Sequence, residues 1–417
     1  MANRNAKNLH MAADVQTIRV NLAERSYDIA IGAGNLADAG RFLSERAKVT
    51  HVVLITDDNV QKPHAMQVAE SIGLEEIDVD VICVEPGEES KSLEMAEGLW
   101  QGLLDLGADR KSVVAAVGGG VIGDLAGFIA ATFARGLRFL QVPTSLLAQV
   151  DSSVGGKVGI NLPEAKNMVG AFLQPLGVLI DTATLATLPP REFRAGLGEV
   201  VKYGVILDAE LFADLETGTA AVLAHDRGML ARVIARCCRL KADIVEQDEY
   251  EQSGLRAVLN FGHTFGHAFE TLSWGSGQSA VGSGRSAGGR AERRGEREAK
   301  GAIPPSALRP PPSVLLHGEA VAVGMVCAAR LAERLGRVDA AFTGRLRALL
   351  ETFGLPVEPP AFDPQQVLDA MTHDKKVQFG RLAFVLPDRM GHAESVGNVP
   401  ETDVLAALGG LGFLEVG

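Results

Sequence analysis

Two histidines four residues apart are candidates for metal binding. His263 and His267 occur in the run Leu259-Asn-Phe-Gly-His-Thr-Phe-Gly-His-Ala-Phe-Glu270. On a helix, positions i and i+4 face the same way, so both imidazoles would be available to one ion. A zinc site of this kind needs a third ligand from elsewhere in the chain. Glu199, in GLGEVVK, and His317, in LHGEAVA, are the two candidates.

Two glycine-containing segments have the composition of anion-binding loops. In residues 113–127, VVAAVGGGVIGDLAG, an apolar strand leads into glycines and then a helix, so backbone N–H groups can approach a pyrophosphate. In residues 143–157, PTSLLAQVDSSVGGK, the groups of Ser152, Ser153 and Lys157 can hold a phosphate. Each segment also has a plainer interpretation, as a packing turn in the first case and a polar loop in the second.

Charge and hydropathy narrow the class of protein. The net charge of −12 argues against a nucleic-acid-binding surface, although a local cluster of cations can still bind a small anion. The run HDKK at 373–376 is either a solvated surface or part of such a cluster. No stretch is apolar and long enough to predict a membrane span, and residues 1–14 do not resemble a signal peptide. Four cysteines without CxxC spacing indicate thiols in a reducing cytoplasm.

The elements that position these groups alternate between strand and helix in the first half. Residues 18–22 and 27–31 flank a polar turn and predict a hairpin. Ser92 is predicted to cap a helix that reaches Leu106. Short apolar runs predict buried parallel strands at 51–56, 77–84, 112–117, 139–142 and 178–180. After a loose tail at 1–14, residues 15–188 are therefore predicted to form a Rossmann-like, doubly wound α/β domain that binds a nucleotide.

The second half, residues 189–417, is predicted to be a mostly α-helical domain that binds metal and substrate. A strand is expected only at 381–386. Helical patterns occur at 196–207, 209–224, 230–246, 264–272, 320–335 and 342–353. Residues 275–313 are rich in Gly, Ser, Arg and Pro, and we predict a disordered insertion because they cannot bury enough apolar surface to offset their ordering entropy.

Taken in order, these motifs resemble those of the 3-dehydroquinate synthases. Six sequence motifs are typical of that family: VGGGVIGDLAGF, PTSLLAQVDSSVGGK, GLGEVVKYG, LNFGHTFGHAFE, LHGEAVAVGM and HDKK. The resemblance implies a cleft between the two domains that holds NAD, Zn²⁺ or Co²⁺, and the sugar phosphate 3-deoxy-arabino-heptulosonate 7-phosphate. It also implies a homodimer in the cytoplasm, with no nucleic-acid or membrane partner.

The resemblance assigns roles to individual residues. The metal ligands fall on Glu199, His263 and His317, whereas His267 falls on a histidine that serves in acid–base chemistry. The other catalytic and substrate-binding positions are Arg135, Lys157, Lys166, Asn167, Lys202, Lys241, Arg256, Asn260 and one lysine of the 375–376 pair, taken as Lys375. The NAD-binding positions are Asp57, Glu88, Lys91, Gly119, Gly120, Val121, Asp124, Thr144, Ser145, Asp151, Lys157 and Lys166.

The implied reaction is a lyase step of the shikimate pathway that ends in 3-dehydroquinate and phosphate. It proceeds by transient oxidation with NAD, phosphate elimination, re-reduction and intramolecular aldol closure. Three alternatives stay open: a cyclase making 2-deoxy-scyllo-inosose or a valiolone, an NAD- and metal-dependent alcohol or glycerol dehydrogenase, and a non-catalytic homologue. Arg256, Asn260 and His267 match the dehydroquinate pattern, and the many cations around DSSVGGK argue against a dehydrogenase.

The chain departs from the family pattern in the spacing of two proposed ligands. His263 and His317 are 54 positions apart, and the family places these ligands much closer together. The added loop-closure entropy amounts to only about 1 kcal/mol, because it grows with the logarithm of loop length. We therefore expect the insertion to bulge outward and the metal site to persist.

Overall fold

A seven-stranded sheet forms the framework of the first half in the computed structural model, which describes residues 15–163, 165–282, 315–359, 362–374 and 382–409. The described part of the first half contains nine strands, seven of them in this sheet: β1 Gln16–Val20, β2 Tyr27–Gly32, β3 His51–Asp57, β4 Asp78–Val84, β5 Val113–Gly118, β6 Arg138–Pro143, β7 Lys157–Leu162, β8 Ala165–Phe172 and β9 Gly177–Asp181. The order in the sheet is β1-β2-β9-β6-β5-β3-β4. The β1–β2 pairing is antiparallel and the others are parallel, which confirms the predicted hairpin and parallel sheet.

Helices cover both faces of this sheet. They are α1 Ala39–Ser44, α2 Asp58–Val60, α3 Met66–Gly73, α4 Leu93–Asp105 and α5 Gly120–Thr132. Successive side chains of a strand point to opposite faces. In β3, Val53 and Ile55 pack with the apolar side chains of α4 and α5, whereas Val52 and Leu54 pack with those of α1 and α3. This two-sided burial explains why β3 is a continuous apolar run.

A separate antiparallel hairpin of β7 and β8 follows the predicted phosphate loop. The sequence analysis did not predict it, since glycines and polar residues interrupt both strands. The predicted helix after Ser92 is confirmed as α4, and the Ser92 hydroxyl accepts a hydrogen bond from Met95 N at 3.2 Å.

The second half is mainly helical, as predicted. It contains α6 Pro190–Ile206, α7 Ala209–Leu223, α8 Arg227–Gln247, α9 His263–Gly282, α10 His317–Arg334, α11 Ala340–Thr352, α12 Pro364–Asp374 and α13 Glu401–Gly409. A small antiparallel pair, β10 Ala383–Arg389 and β11 His392–Gly397, accompanies them. The sequence analysis anticipated β10 but not β11, α12 or α13.

The boundaries of the predicted insertion need one correction. The backbone of α9 stays helical to Gly282, beyond position 275 where the sequence analysis began the disordered segment. Residues 283–313 lie outside the described residues, as do the predicted tail at 1–14 and Lys375. For these two segments and for Lys375, the sequence-based expectations stay predictions.

One apolar core crosses from the first half into the second. Ile29 and Ile31 of β2 and Val178 of β9 belong to the same buried cluster as Phe193 and Leu197 of α6. The side of the sheet near β2 and β9 therefore packs against the helical half. Within the described ranges, every helix is too short or too polar to traverse a lipid bilayer.

Candidate active site

Three side chains proposed as metal ligands meet where three helices approach one another. Glu199 lies within α6, while His263 and His317 are the first residues of α9 and α10. Nε2 of His263 lies 3.6 Å and Nε2 of His317 lies 3.5 Å from Oε1 of Glu199. Ligand atoms about 2.0–2.2 Å from a tetrahedral zinc lie about 3.4 Å from one another. The three side chains are therefore spaced as ligands of one ion.

Glycines next to these three residues allow the helices to come this close. A Cβ on Gly318 would lie 1.8 Å from the carbonyl oxygen of Ala195, and one on Gly198 would lie 2.5 Å from the carbonyl oxygen of Gly318. A Cβ on Gly262 would lie 2.9 Å from the carbonyl oxygen of Val321 in α10. Direct backbone contact of α10 with α6 and with the start of α9 thus sets the ligand separations.

The imidazole rings are oriented by acceptors on their far sides. Nδ1 of His263 donates to the carbonyl oxygen of Phe261 at 3.1 Å, and Nδ1 of His317 donates to Oε1 of Glu270 at 3.1 Å. Each ring therefore directs Nε2 toward Glu199. Histidine ligands of metals are commonly fixed in this way, because the hydrogen bond at one nitrogen selects the tautomer.

Glu199 carries its charge in a fully buried position, with an exposed fraction of 0 %. Lys202 Nζ pairs with Oε2 of Glu199, and Nε2 of both imidazoles faces Oε1. Burial raises the pKa of the Glu199 carboxyl, but the Lys202 and His263 charges and the His317 contact outweigh burial and lower it to about 2. An ionised carboxylate aimed at two imidazoles suits zinc or cobalt.

The two histidines differ in charge before any metal binds. Burial and the nearby Lys202 charge lower the pKa of His263 to about 3, so its ring is neutral. Burial also lowers the pKa of His317, but Glu199 and Glu270 outweigh this effect and raise it to about 10. A metal at this site would therefore take the place of a proton on His317.

His267 lies beside this group. Its ring centroid is 5.5 Å from that of His263 and 6.2 Å from that of His317. Donor atoms of His267, Glu270 and His317 also lie within 4.8 Å of one another. The four-residue spacing of the two histidines on α9 thus pointed to the correct region of the chain. Of the two, His263 and not His267 belongs to the group that contains Glu199.

Four of the proposed NAD-binding residues lie at the carboxyl ends of the neighbouring strands β3 and β5, namely Asp57, Gly119, Gly120 and Val121. From β3 the chain continues to β4, which lies on one side of β3 in the sheet, and then returns to β5, which lies on the other side. The strand order therefore reverses between β3 and β5. Ligands of open α/β sheets bind at such a switch point. β3 ends at Asp57, and β5 ends at Gly118, just before α5 begins at Gly120. None of the described side chains caps the N-terminus of α5, so its N–H groups stay available to an anion.

Small side chains keep this edge open. Thr144 N donates to the Gly118 carbonyl at 2.9 Å, which places Thr144 and Ser145 beside the glycines. A Cβ on Gly119 would lie 3.5 Å from Ser145 Oγ, and one on Gly120 would lie 3.1 Å from Ser152 Oγ. Val121 follows in the first turn of α5. The edge thus has the backbone donors and the open approach that a pyrophosphate needs.

Lys91 connects cofactor-side residues with the β7–β8 hairpin. Its buried Nζ donates to Oδ2 of Asp124 at 2.8 Å and to Oδ1 of Asn167 at 2.5 Å, and lies 3.5 Å from Oε1 of Glu88. Asn167 has a positive φ of 55°, which costs strain that this bond helps to offset. Glu88, Lys91 and Asp124, proposed to bind NAD, thus form a cluster with Asn167, which is proposed to bind substrate.

Asp151 makes a second connection, between the two halves. Its Oδ1 accepts from Tyr203 Oη at 2.7 Å and lies 2.9 Å from Lys241 Nζ, which also donates to the Asp151 carbonyl at 2.8 Å. Burial raises the pKa of Asp151, but the Lys241 and Lys202 charges and the Tyr203 hydroxyl outweigh it and lower the pKa. The loop after β6 is thereby joined to α6 and α8.

The remaining predicted positions are placed less uniformly. Lys157 Nζ lies 2.6 Å from Glu251 Oε2, and buried Arg256 donates to the Glu249 carbonyl at 2.8 Å. Lys166 contributes positive charge near Glu270. Within the described ranges, no hydrogen bond or ion pair joins Arg135 or Asn260 to the metal group or to Asp151.

Sequence reasoning missed several residues of this region. Glu270 contacts His317, Tyr203 contacts Asp151, and Glu251 contacts Lys157. Glu319 pairs with Arg191 through two contacts of 2.7 Å and accepts from Leu316 N at 2.8 Å, which fixes the start of α10. A signal existed for Glu270, because it follows His263 by seven and His267 by three positions and so shares their helix face.

The fold and site define the chain as a two-domain protein of the sugar phosphate cyclase class. A structure of 2-deoxy-scyllo-inosose synthase with carbaglucose-6-phosphate, NAD⁺ and Co²⁺ is 26% identical, with a TM-score of 0.77 covering 94% of this chain and 99% of that one. The 2-epi-5-epi-valiolone synthase of Streptomyces hygroscopicus subsp. jinggangensis, with NAD⁺ and Zn²⁺, has the same identity and TM-score, covering 94% of this chain and 98% of that one. A probable glycerol dehydrogenase of Sinorhizobium meliloti, 16% identical, shares the fold with a TM-score of 0.58.

Sequence comparison specifies the family within this class. The family model for the 3-dehydroquinate synthase N-terminal region matches residues 81–195, and the C-terminal model matches 196–286 and 311–377. The 3-dehydroquinate synthase of Desulforamulus reducens is 46% identical, over 94% of this chain and 99% of that protein. That of Rhodopirellula baltica is 44% identical, over 95% and 98%. The chain belongs to the 3-dehydroquinate synthase family.

Proposed function

We propose that the chain converts 3-deoxy-arabino-heptulosonate 7-phosphate to 3-dehydroquinate and phosphate, with NAD and a divalent metal as cofactors. The observation that carries this proposal is the convergence of Glu199, His263 and His317. Lys202 and Tyr203, on the same helix as Glu199, link this group to Asp151 and so to the loop that follows the cofactor edge. Family membership supports the reaction, and the buried carboxylate supports the metal.

The cofactors and the site residues have different chemical roles in the proposed reaction. When bound, NAD supplies a reversible acceptor for hydride and the metal supplies a Lewis acid toward substrate oxygens. Lys202 and the imidazoles keep Glu199 ionised, so that it can act as a ligand at neutral pH. Lys241, Arg256 and Lys157 provide positive charge for the phosphate and carboxylate of the substrate. His267, whose ring lies beside that of His263, would move a proton.

The competing functions have less support. The solved 2-deoxy-scyllo-inosose and 2-epi-5-epi-valiolone synthases are 26% identical, whereas the 3-dehydroquinate synthase of Desulforamulus reducens is 46% identical over nearly its full length. The probable glycerol dehydrogenase, 16% identical, shares the fold alone. Lys241 and Arg256 are both buried in the chain, which suits an anionic substrate better than a neutral alcohol.

The test is phosphate release from the heptulosonate phosphate with NAD⁺ well below the substrate concentration. We expect many phosphates per NAD⁺, loss of release with a strong chelator, and recovery with zinc. Stoichiometric NADH accumulation would instead indicate a dehydrogenase. Absence of release from a folded protein that binds NAD and zinc would move the proposal to another cyclase substrate, which glucose 6-phosphate and sedoheptulose 7-phosphate would then test.

We also propose a cytoplasmic homodimer, as family resemblance implies. Sedimentation equilibrium of the full chain would measure the mass directly. A mass equal to that of one 44.0 kDa chain across the accessible concentrations would contradict the dimer.

A further inference from the structure

A carboxylate contacts the nitrogen of His317 that faces away from the proposed metal position. Oε1 of Glu270 lies 3.1 Å from Nδ1 of His317, and Oε1 of Glu199 lies 3.5 Å from Nε2 of the same ring. The imidazole is thus held between two carboxylates. Because the Glu270 contact uses Nδ1, Nε2 is the nitrogen left to bind an ion.

The position of Glu270 in the fold makes this contact a fixed one. Glu270 is 7 % exposed and lies on α9, the helix that begins with His263. The start of α10 is fixed separately by the Glu319–Arg191 pair, so ring and backbone of His317 have independent anchors. His263 receives the equivalent support from the Phe261 carbonyl. Both imidazoles therefore have one acceptor each at Nδ1.

We propose that Glu270 is a positioning residue for metal binding, which fixes the tautomer and ring plane of His317 so that Nε2 faces the ion. The proposal rests on the metal site of the proposed function. The competing role for Glu270 is that of a direct ligand, in the group with His267 and His317. Glu199 is the better ligand of the two carboxylates, because its Oε1 faces Nε2 of both His263 and His317, whereas Oε1 of Glu270 is engaged by Nδ1 of His317.

The experiment measures metal affinity in the full chain after chelator treatment. Co²⁺ is titrated by its visible absorption, and Zn²⁺ by competition with Co²⁺. We expect Glu270→Ala to raise the Kd about 10–100-fold, as loss of an outer partner of a ligating histidine does. Glu270→Gln should lose less affinity, because its amide oxygen still accepts from Nδ1. The shape of the Co²⁺ spectrum should be the same in both variants and in the unsubstituted chain, because the ligands are unchanged.

Two control variants bracket the result. His317→Ala removes a ligand and should abolish tight binding. Asp80→Ala removes a carboxylate that contacts another histidine, His51, at 2.9 Å outside the site, and should leave the Kd unchanged. Thermal unfolding of the metal-free proteins and NAD affinity report whether each variant is folded. If Glu270→Ala does not fold, the Glu270→Gln titration decides.

The outcomes separate the two proposals. An unchanged Kd in the folded Glu270 variants, with binding abolished in His317→Ala, overturns the positioning role and leaves the metal site intact. An altered Co²⁺ spectrum in Glu270→Gln makes Glu270 a ligand and also overturns the positioning role. Absence of Co²⁺ and Zn²⁺ binding in the unsubstituted chain overturns the metal site, and with it both proposals.

Discussion

At the scale of single residues, the carboxylate of Asp151 joins two helices of the second half. Its carboxylate accepts from Tyr203 and pairs with Lys241, while Lys202 lies near enough to lower its pKa further. Because these partners come from α6 and α8, the charge of one loop residue holds two helices to the cofactor edge. The consequence for stability can be measured.

Asp151→Asn should destabilise the protein most at neutral pH. The pKa of Asp151 is lowered in the folded state, so its contribution is complete above the unfolded pKa of about 3.9 and is lost as the pH falls toward the lower folded value. We expect a loss of about 2 kcal/mol in the free energy of unfolding at pH 7, somewhat less than for a fully buried pair. The difference from wild type should shrink by roughly 0.7 kcal/mol at pH 3.5. Urea unfolding at both pH values measures this, and a difference that widens on acidification would contradict it.

His263 and His267 should separate cleanly by function. His263→Ala removes a proposed ligand, and we expect it to weaken Co²⁺ binding by more than the roughly 10–100-fold that an outer partner contributes. His267→Ala should keep the Kd within about threefold, well inside that range, while phosphate release falls by at least about 100-fold, a typical contribution of a general acid or base. Cobalt titration and turnover on the same preparations decide this. Equal loss of affinity in both variants would show that His267 is a ligand.

At this scale, the sequence predicted which residues belong to the site better than it predicted which residues contact them. The sequence analysis proposed Glu199, His263 and His317 together. In the structure, one potential ligand atom from each of the three lies within 4.8 Å of the other two. This set came from the resemblance of the motifs to the family, because spacing alone favoured the pair of His263 and His267. Ligands 54 positions apart leave no periodic signal, since helix crossing rather than helix phase brings them together.

At the scale of elements, the contact of α10 with α6 depends on the absence of two side chains. Gly318 lies against the Ala195 backbone, and Gly198 lies against Gly318. The same backbone contact places Glu199 next to His317. A crossing of this kind permits almost no adjustment, because the groups that touch are main-chain atoms.

Gly318→Ala should therefore force α10 away from α6. The added Cβ would lie 1.8 Å from the Ala195 carbonyl oxygen, so we expect a loss of about 3 kcal/mol in the free energy of unfolding, at the upper end of overpacking effects. Metal affinity should fall as well. Gly344→Ala is the matched control, because Gly344 lies in α11 with nothing within 4 Å of the added atom, and it should be neutral or stabilise by up to about 1 kcal/mol. Equal effects of the two substitutions would contradict the argument.

Strong periodicity and clear termination decided which elements could be predicted. β3 and β5 each contain an unbroken run of at least four apolar residues, and α4 has a capping serine followed by a regular pattern. The β7–β8 hairpin gave no such signal, because close approach of Gly159 and Gly170 replaces side-chain alternation. α13 is short and lies beyond a proline, so its local pattern was too brief to distinguish from a loop.

At the scale of the whole molecule, the family comparison leaves residues 287–310 unmatched between two matched segments. Deletion of these residues should preserve metal binding and catalysis, because loop closure depends only weakly on length. We expect the Co²⁺ Kd to tighten or stay within about threefold, consistent with a closure term of about 1 kcal/mol or less. Titration and turnover of the deleted chain measure this. Loss of the metal site on deletion would show that the segment supports it.

The core shared by β2, β9 and α6 has a consequence for how the protein melts. The Rossmann-like half could be predicted to end near residue 188, yet Ile29 and Val178 are buried by side chains from beyond that point, Phe193 and Leu197 among them. A fragment ending at 188 would present this apolar face to water and would aggregate. Unfolding of either half would likewise uncover the other, so a calorimetric scan of the intact chain should give a single heat-absorption peak rather than one for each half.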